Sequence, residues 1–240
     1  MGLRCADGMK ISIRFGNGNQ VKAGFSMADL LVVLAALSLI IAIAVPVWAK
    51  SRARARQSLC MGNIQQVTRA VLQFADGNAG RLPDNEPGMK GGVWWWYKEQ
   101  VKGELELRNP SSPADKVFAC PSDRGYEEGR PFRLSPKFDY GSYVFNGVNL
   151  PGLPHIAGTQ VASIREPSRT LLMMEWSAHA PLSWHRSKTG SDNHPFYNNA
   201  ENVVGFVDGS VAFIPIYYDG IHPAYTRDPI PGYRYKYSGD

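Results

Sequence analysis

Three cysteines, five histidines and a scatter of carboxylates are the residues of this 240-residue chain whose side chains could carry nucleophilic, acid–base or metal chemistry. Cys5, Cys60 and Cys120 lack the C-x2-C spacing of a metal knuckle. His155, His179, His185, His194 and His222 are scattered without a ligand spacing, so turn or surface roles are expected for them. His185 or His194 beside Asp192 or Asp208 would suit a hydrolase, with the imidazole as general base and the carboxylate orienting it. No G-x-S-x-G, Walker loop or convincing carboxylate pair accompanies them, and catalysis is not expected. Asp208-Gly209 is better suited to a turn than to chemistry, because glycine tolerates positive φ. The run "VWWWY", residues 93–97, offers aromatic faces on which a sugar or a partner would stack. On a strand, three adjacent rings cannot all face one way, so core filling with one exposed ring is the expectation.

The most unusual carboxylate is Asp29, in "KAGFSMADLLVV" at the mouth of a long apolar run. Residues 30–49 carry no formal charge, and as a helix they would extend about 30 Å, the thickness of a bilayer core. A lone carboxylate in hydrocarbon costs roughly 2.5–3.5 kcal/mol on insertion scales, so Asp29 needs a partner or a place at the interface. Two readings follow: an ion pair with another chain, or a cap on the helix N-terminus, where acids are favoured. The small-residue junction Ala23-Gly24 precedes the apolar run, whereas a secretory signal peptide has its cleavage site after it. A cut there leaves the anchor on the mature chain.

The formal charge of +5 is not spread evenly. Residues 1–24 hold +3 and the cluster Lys50, Arg52, Arg54 and Arg56 holds +4, whereas residues 57–240 sum to −1. Basicity therefore flanks the apolar run, and no nucleic-acid partner is expected for the body. With four basic residues upstream and four just downstream, charge bias alone does not orient the segment.

Beyond "KSRARAR", Cys60, Ile64, Val67, Val71 and Phe74 recur at steps of four and three, a helical stripe, with Asn63, Gln66, Arg69 and Gln73 opposite. A helix running from Phe25 to Asp76 would be about 78 Å long. "ADGNAGRLP" is expected to stop it, with Gly77 as C-cap and Pro83 beyond. Past residue 80, "GSYVFNG", "TLLMMEW" and "NVVGFVDGSVAFI" read as strands, the last as a hairpin with a two-residue Asp208-Gly209 loop. The expected fold is α+β: a long N-terminal helix packed on a C-terminal antiparallel sheet. Four segments follow: a leader at 1–24, a membrane half of the helix at 25–49, an amphipathic half at 50–78 and a β body at 79–240.

This order of basic leader, Gly24, Phe25, a short polar patch with Asp29, and an apolar helix resembles the prepilin family, the type IV pilins and type II secretion pseudopilins. The resemblance implies that a prepilin peptidase cuts after Gly24 on the cytoplasmic side and methylates the amine of Phe25. Met9 is a second candidate start for the leader. Asp29 stands where the family has glutamate, so it would meet the N-terminal ammonium of a neighbouring subunit and guide filament register. Pro46 falls where many members have a helix-kinking proline. Implied partners are the peptidase, other pilin or pseudopilin subunits, the inner-membrane assembly platform and membrane lipid. The implied location is the inner membrane, single-pass, with the leader cytoplasmic and the body periplasmic or extracellular in a filament.

"CMGNIQQV", "VFACPSD", "GSYVFNG" and "REPSRTLLMMEW" are similar to recurring blocks of one pseudopilin-like subfamily, named for a histidine followed at a fixed interval by Asp-Gly. His194 with Asp208-Gly209 is the nearest match, although thirteen residues lie between His194 and Asp208 where the pattern has nine. Removing the leader removes Cys5 and leaves Cys60 and Cys120. In an oxidising compartment these would form a bridge, constraining the unfolded chain by about 4 kcal/mol; otherwise they would be two buried thiols. Relatives include calcium-binding pseudopilins, and Asp76, Asn78 and Asp84 supply oxygen donors near the helix end, in a spacing unlike a standard calcium loop. No other metal or cofactor is expected. The function these features imply is a filament subunit; the rival from another class is a membrane-anchored module that binds carbohydrate or a partner and never polymerises.

Overall fold

The computed structural model describes residues 26–85, 92–126, 130–148, 150–186 and 196–240. The chain divides into two compact units, Met1–Trp48 and Ala49–Asp240. Among the described residues of the first, the regular structure is α1 (Met27–Gly77), whose later part belongs to the second. Between Leu30 and Trp48 it is built mainly from Leu, Ile, Val and Ala, and among the described residues it is the one helix long and apolar enough to cross a membrane. Ser38, the polar exception, turns its hydroxyl back onto the Leu34 carbonyl at 2.6 Å, which satisfies it without water. Pro46 lies inside α1, where its ring takes away the N–H that the Ala42 carbonyl would otherwise accept.

In the second unit, α1 buries Cys60, Ile64, Val67, Thr68, Ala70, Val71 and Ala75. Phe74, at the end of the expected stripe, is half-buried and packs on the rim of the same core. Asn63 departs from the expected polar face: its amide donates to the carbonyls of Lys116 (3.1 Å) and Ala119 (3.0 Å), pinning the segment that leads into Cys120. Gly77 is the last helical residue rather than the cap. The reversal comes later, where Ala79 (φ 52°) and Gly80 (φ 76°) turn left-handed and the Gly80 N–H closes on the Ala75 carbonyl at 2.8 Å.

Four strands, β1 (Tyr143–Phe145), β2 (Leu171–Glu175), β3 (Ala200–Phe206) and β4 (Val211–Ile216), form an antiparallel sheet in chain order. The fold is therefore α+β. An irregularity in the β2–β3 pairing between Leu171 and Met173 places Leu172 and Met173 in one core while Leu171 and Met174 enter the other. The first core joins Ile64, Val67 and Val71 of α1 to Tyr143, Phe145, Leu172, Met173 and Val203. The second joins Val144, Met174, Val204 and Ile216 to Ile230, Tyr235 and Tyr237 of the C-terminal segment. Both faces of β1 and β2 are thus covered, which is why neither strand alternates with polar residues. Gly205 of β3 makes the α1 contact close: a Cβ there would run into the Thr68 side chain.

Two local expectations change. Four residues, Val207, Asp208, Gly209 and Ser210, connect β3 to β4, and the Phe206 N–H donates to the Ser210 carbonyl at 2.9 Å. The Gly209 N–H donates to the Phe206 carbonyl at 2.9 Å, and Gly209 at φ 84° takes the left-handed place of a bulge. The aromatic run is helical instead of extended, forming α2 (Gly92–Trp95) and α3 (Tyr97–Val101). At about 100° per residue the rings fan out: Trp95 enters the second core, Trp96 and Tyr97 the first, and Trp94 stays half-exposed. The Trp95 indole donates to the Gly141 carbonyl (2.9 Å) and the Tyr97 hydroxyl to the Tyr143 carbonyl (3.1 Å), so their polar atoms are satisfied in the interior.

Candidate functional site

At the start of α1, Ser26 and Asp29 form a reciprocal cap. The Ser26 N–H and hydroxyl both donate to Asp29 Oδ2 at 2.9 Å, and the Asp29 N–H donates to Ser26 Oγ at 3.2 Å. The local device is the N-terminal cap, one of the two roles open to this acid. Gly24 and Phe25, the expected processing junction, lie outside the described residues. From Leu30 to Trp48 thirteen large apolar side chains are exposed. Burying each would be worth roughly 1.5–3 kcal/mol, so water is a poor surrounding for this surface and either lipid or other apolar helices would suit it.

Inside the second unit, Cys60 of α1 and Cys120 form a disulfide across 60 residues. Beside it lies a buried cluster of polar side chains. His185 Nε2 stands 3.9 Å from Cys120 Sγ and 2.8 Å from Glu175 Oε1, with the side chains of His185 and Glu175 only 1% and 0% exposed. Glu175 sits at the end of β2, and its other oxygen accepts the Val203 N–H of β3 at 2.9 Å, so the sheet fixes the carboxylate. The Cys120 segment is anchored separately. Its N–H donates to Ser142 Oγ (3.0 Å), whose hydroxyl donates to the buried Asp123 (2.7 Å). Asp123 also accepts the N–H groups of Gly125, Phe132 and Arg133. Burial pushes the Asp123 carboxyl upward, against four hydrogen bonds that favour its charged form.

Glu175 is the residue that sequence reasoning missed. Its signal was available: a carboxylate closing the apolar strand "LLMME" must find a buried partner. His185 is that partner, so neither Asp192 nor Asp208 is needed to orient it. Asp208 instead accepts the Ser210 N–H (2.9 Å) and hydroxyl (2.6 Å) in the hairpin loop. His194 and Asp192 lie outside the described residues. His155 accepts the Ala157 N–H, and His222 pairs with Asp219 at 2.9 Å. Of the proposed calcium donors, Asp84 accepts the Asn85 N–H (2.8 Å) and the Asn78 amide reaches the Arg81 carbonyl (3.5 Å), contacts that serve the loop after α1.

His179 is buried among Trp94, Trp176 and Tyr225, with ring centroids 4.5–5.1 Å away, and neither of its nitrogens has a hydrogen-bond partner. Burial pushes its pKa down to about 3, which keeps the ring neutral. It lines a 240 Å³ aromatic pocket together with Trp176, Tyr218 and Tyr225. No protein-family model matches the chain, and neither do any curated proteins or solved structures.

Proposed function

We propose that this chain is a structural subunit of a type IV pilus-like or type II secretion pseudopilus filament. It is cut after Gly24 and methylated at Phe25 by a prepilin peptidase, held in the inner membrane by α1, and assembled on a membrane platform with other pilin-like subunits. The body faces the periplasm, and the leader faces the cytoplasm. The observation that carries this reading is the uncovered apolar length of α1 with Asp29 as the charge in its first turn. Within a filament, apolar helices cover one another, and the Asp29 oxygen not used by Ser26 receives the ammonium of a neighbouring Phe25. The subunit itself performs no catalysis and takes no obligatory cofactor. The test is co-expression with a prepilin peptidase: the wild-type chain gains mobility and Gly24→Val does not. A wild-type chain that is never cut would sink the proposal.

A second reading has its own observation, the aromatic pocket around His179. In it the chain is a membrane-anchored module, processed in the same way but solitary, that stacks a sugar ring on Trp176 or Tyr225. Crosslinking between copies separates the two, since filament subunits crosslink through α1 and a solitary module does not. Quenching of tryptophan emission by soluble oligosaccharides reports on the pocket independently.

A further inference from the structure

Among the described residues, Cys60, Cys120, Glu175 and His185 bring four metal-ligating atoms within 4.8 Å of one another. These are the two Sγ atoms, a Glu175 oxygen and a His185 ring nitrogen, and they come from α1, the Cys120 segment, β2 and the segment after β2. We propose that the reduced form of this chain binds one zinc ion here, so that a disulfide and a closed zinc centre are alternative ways of locking the same core.

The donor set fits zinc. Two thiolates and an imidazole favour a borderline-soft divalent ion, and four ligands with no exposed position describe a closed tetrahedral site. In such a site, metal–ligand bonds of about 2.0–2.3 Å set neighbouring ligand atoms roughly 3.3–3.8 Å apart. His185 Nε2 and Cys120 Sγ already stand at 3.9 Å, and His185 Nε2 and Glu175 Oε1 at 2.8 Å need only part slightly. The largest movement is between the two sulfurs, which breaking the S–S bond allows. Part of the second shell is in place: the Val203 N–H holds Glu175 Oε2, leaving Oε1 for the ion, and the Ser142 hydroxyl fixes the backbone of Cys120, whereas His185 Nδ1 is buried with no hydrogen-bond partner. A buried Glu–His pair contributes little to a core that a disulfide already ties, whereas two thiolates and a divalent ion need both as ligands.

The chemistry balances as follows. A dithiol reductant gives two electrons and two protons to the Cys60–Cys120 bond and becomes a disulfide itself. Zinc then displaces the two thiol protons to solvent as two Zn–S bonds form. With the imidazole neutral, its proton moves from Nε2 to Nδ1, freeing the Nε2 lone pair. The bound centre carries a net charge of −1, from two thiolates, one carboxylate and Zn²⁺. An oxidising compartment drives the reverse: loss of two electrons to an oxidant re-forms the S–S bond and releases the ion. None of this depends on filament assembly.

The test uses the full chain in detergent, reduced with a phosphine, which does not compete for metal as a dithiol would. Titration with Co²⁺ is expected to give one equivalent of tetrahedral cobalt with sulfur-to-metal charge-transfer absorption, bleached by one equivalent of Zn²⁺. The oxidised chain should give none. Cys120→Ser should abolish the signal, and His185→Ala and Glu175→Gln should each weaken binding tenfold or more, with circular dichroism recording whether each variant is folded. Because variants in a core can unfold, a second measurement on the wild-type chain stands alone: Zn²⁺ should slow alkylation of the two thiols at least tenfold. Equal alkylation rates with and without zinc would overturn the proposal, as would a cobalt spectrum unchanged in a folded His185→Ala chain.

Discussion

Asp29 accepts two hydrogen bonds from Ser26 through one oxygen, Oδ2, and returns one by donating its own N–H to Ser26 Oγ. Its second oxygen has no partner among the described residues. The carboxylate is thereby oriented by its own helix while keeping a free acceptor, so capping and assembly are compatible roles of one side chain.

The two roles separate by substitution. Asp29→Asn keeps an oxygen acceptor for Ser26 and removes the charge, so it should fold and insert normally while filament yield falls at least tenfold. Ser26→Ala keeps the charge and removes the hydroxyl of the cap, at a cost of about 1 kcal/mol to the first turn, and should assemble. Filament counts by electron microscopy and helicity by circular dichroism check both. Normal filaments from Asp29→Asn would remove charge pairing from the assembly reading.

The Cys60–Cys120 bond closes a loop of 60 residues, for which chain entropy in the unfolded state gives about 4 kcal/mol of stabilisation. Cys60→Ala, Cys120→Ala and the double variant should therefore lower stability by similar amounts, each a large share of a domain's usual margin. Denaturant midpoints of the oxidised wild-type and variant chains measure it. Variants as stable as the wild type would show that the bond is structurally idle.

The stripe at Cys60, Ile64, Val67 and Val71 was legible because a half-buried helix repeats its apolar residues every three or four positions. The strands were legible as short β-branched and aromatic stretches between turns, even though burial on both faces erased their alternation. "VWWWY" fills the core as expected and leaves Trp94 half-exposed, but its backbone is helical and not extended. Aromatic residues favour strands on average, but here two short helices carry the run, and their packing places Trp96 in one core and Trp95 in the other, with Trp94 at its edge. The Glu175–His185 pair was hidden because the two residues lie in different segments, and no local pattern couples them. Gly205 was readable in principle, since a lone glycine inside a strand marks a close approach of another backbone or side chain.

Gly205 and Thr68 make that approach testable. Thr68 Oγ1 is buried without a hydrogen-bond partner, so Thr68→Ala should be close to neutral. Gly205→Ala places a methyl group against Thr68 and should destabilise by about 1–3 kcal/mol. The double variant should recover part of that loss, because the smaller side chain at 68 makes room. A double-mutant cycle of unfolding free energies checks it, and strictly additive effects would show that the two positions do not compete for space.

His179 gives the chain an acid-sensitive core. Its folded pKa is pushed down to about 3 by burial among Trp94, Trp176 and Tyr225, from an ordinary value of 6.5. Above pH 6.5 the ring is neutral in both folded and unfolded chains and costs nothing. As pH falls below 6.5 the unfolded chain takes up a proton that the folded chain refuses, and stability declines until about pH 3, where the folded ring also charges. A shift of this size corresponds to a loss on the order of 4–5 kcal/mol across that window. His179→Phe fills the aromatic site without a titrating group and should flatten the decline between pH 6 and pH 4 relative to the wild type. Unfolding midpoints measured across that range decide it: parallel curves for the two chains would remove His179 as the source of the decline, while Asp219, whose hydrogen bonds from His222 and Ile221 hold its pKa below the usual range, gives up its contribution only below its ordinary value of 3.8 and so acts outside this window.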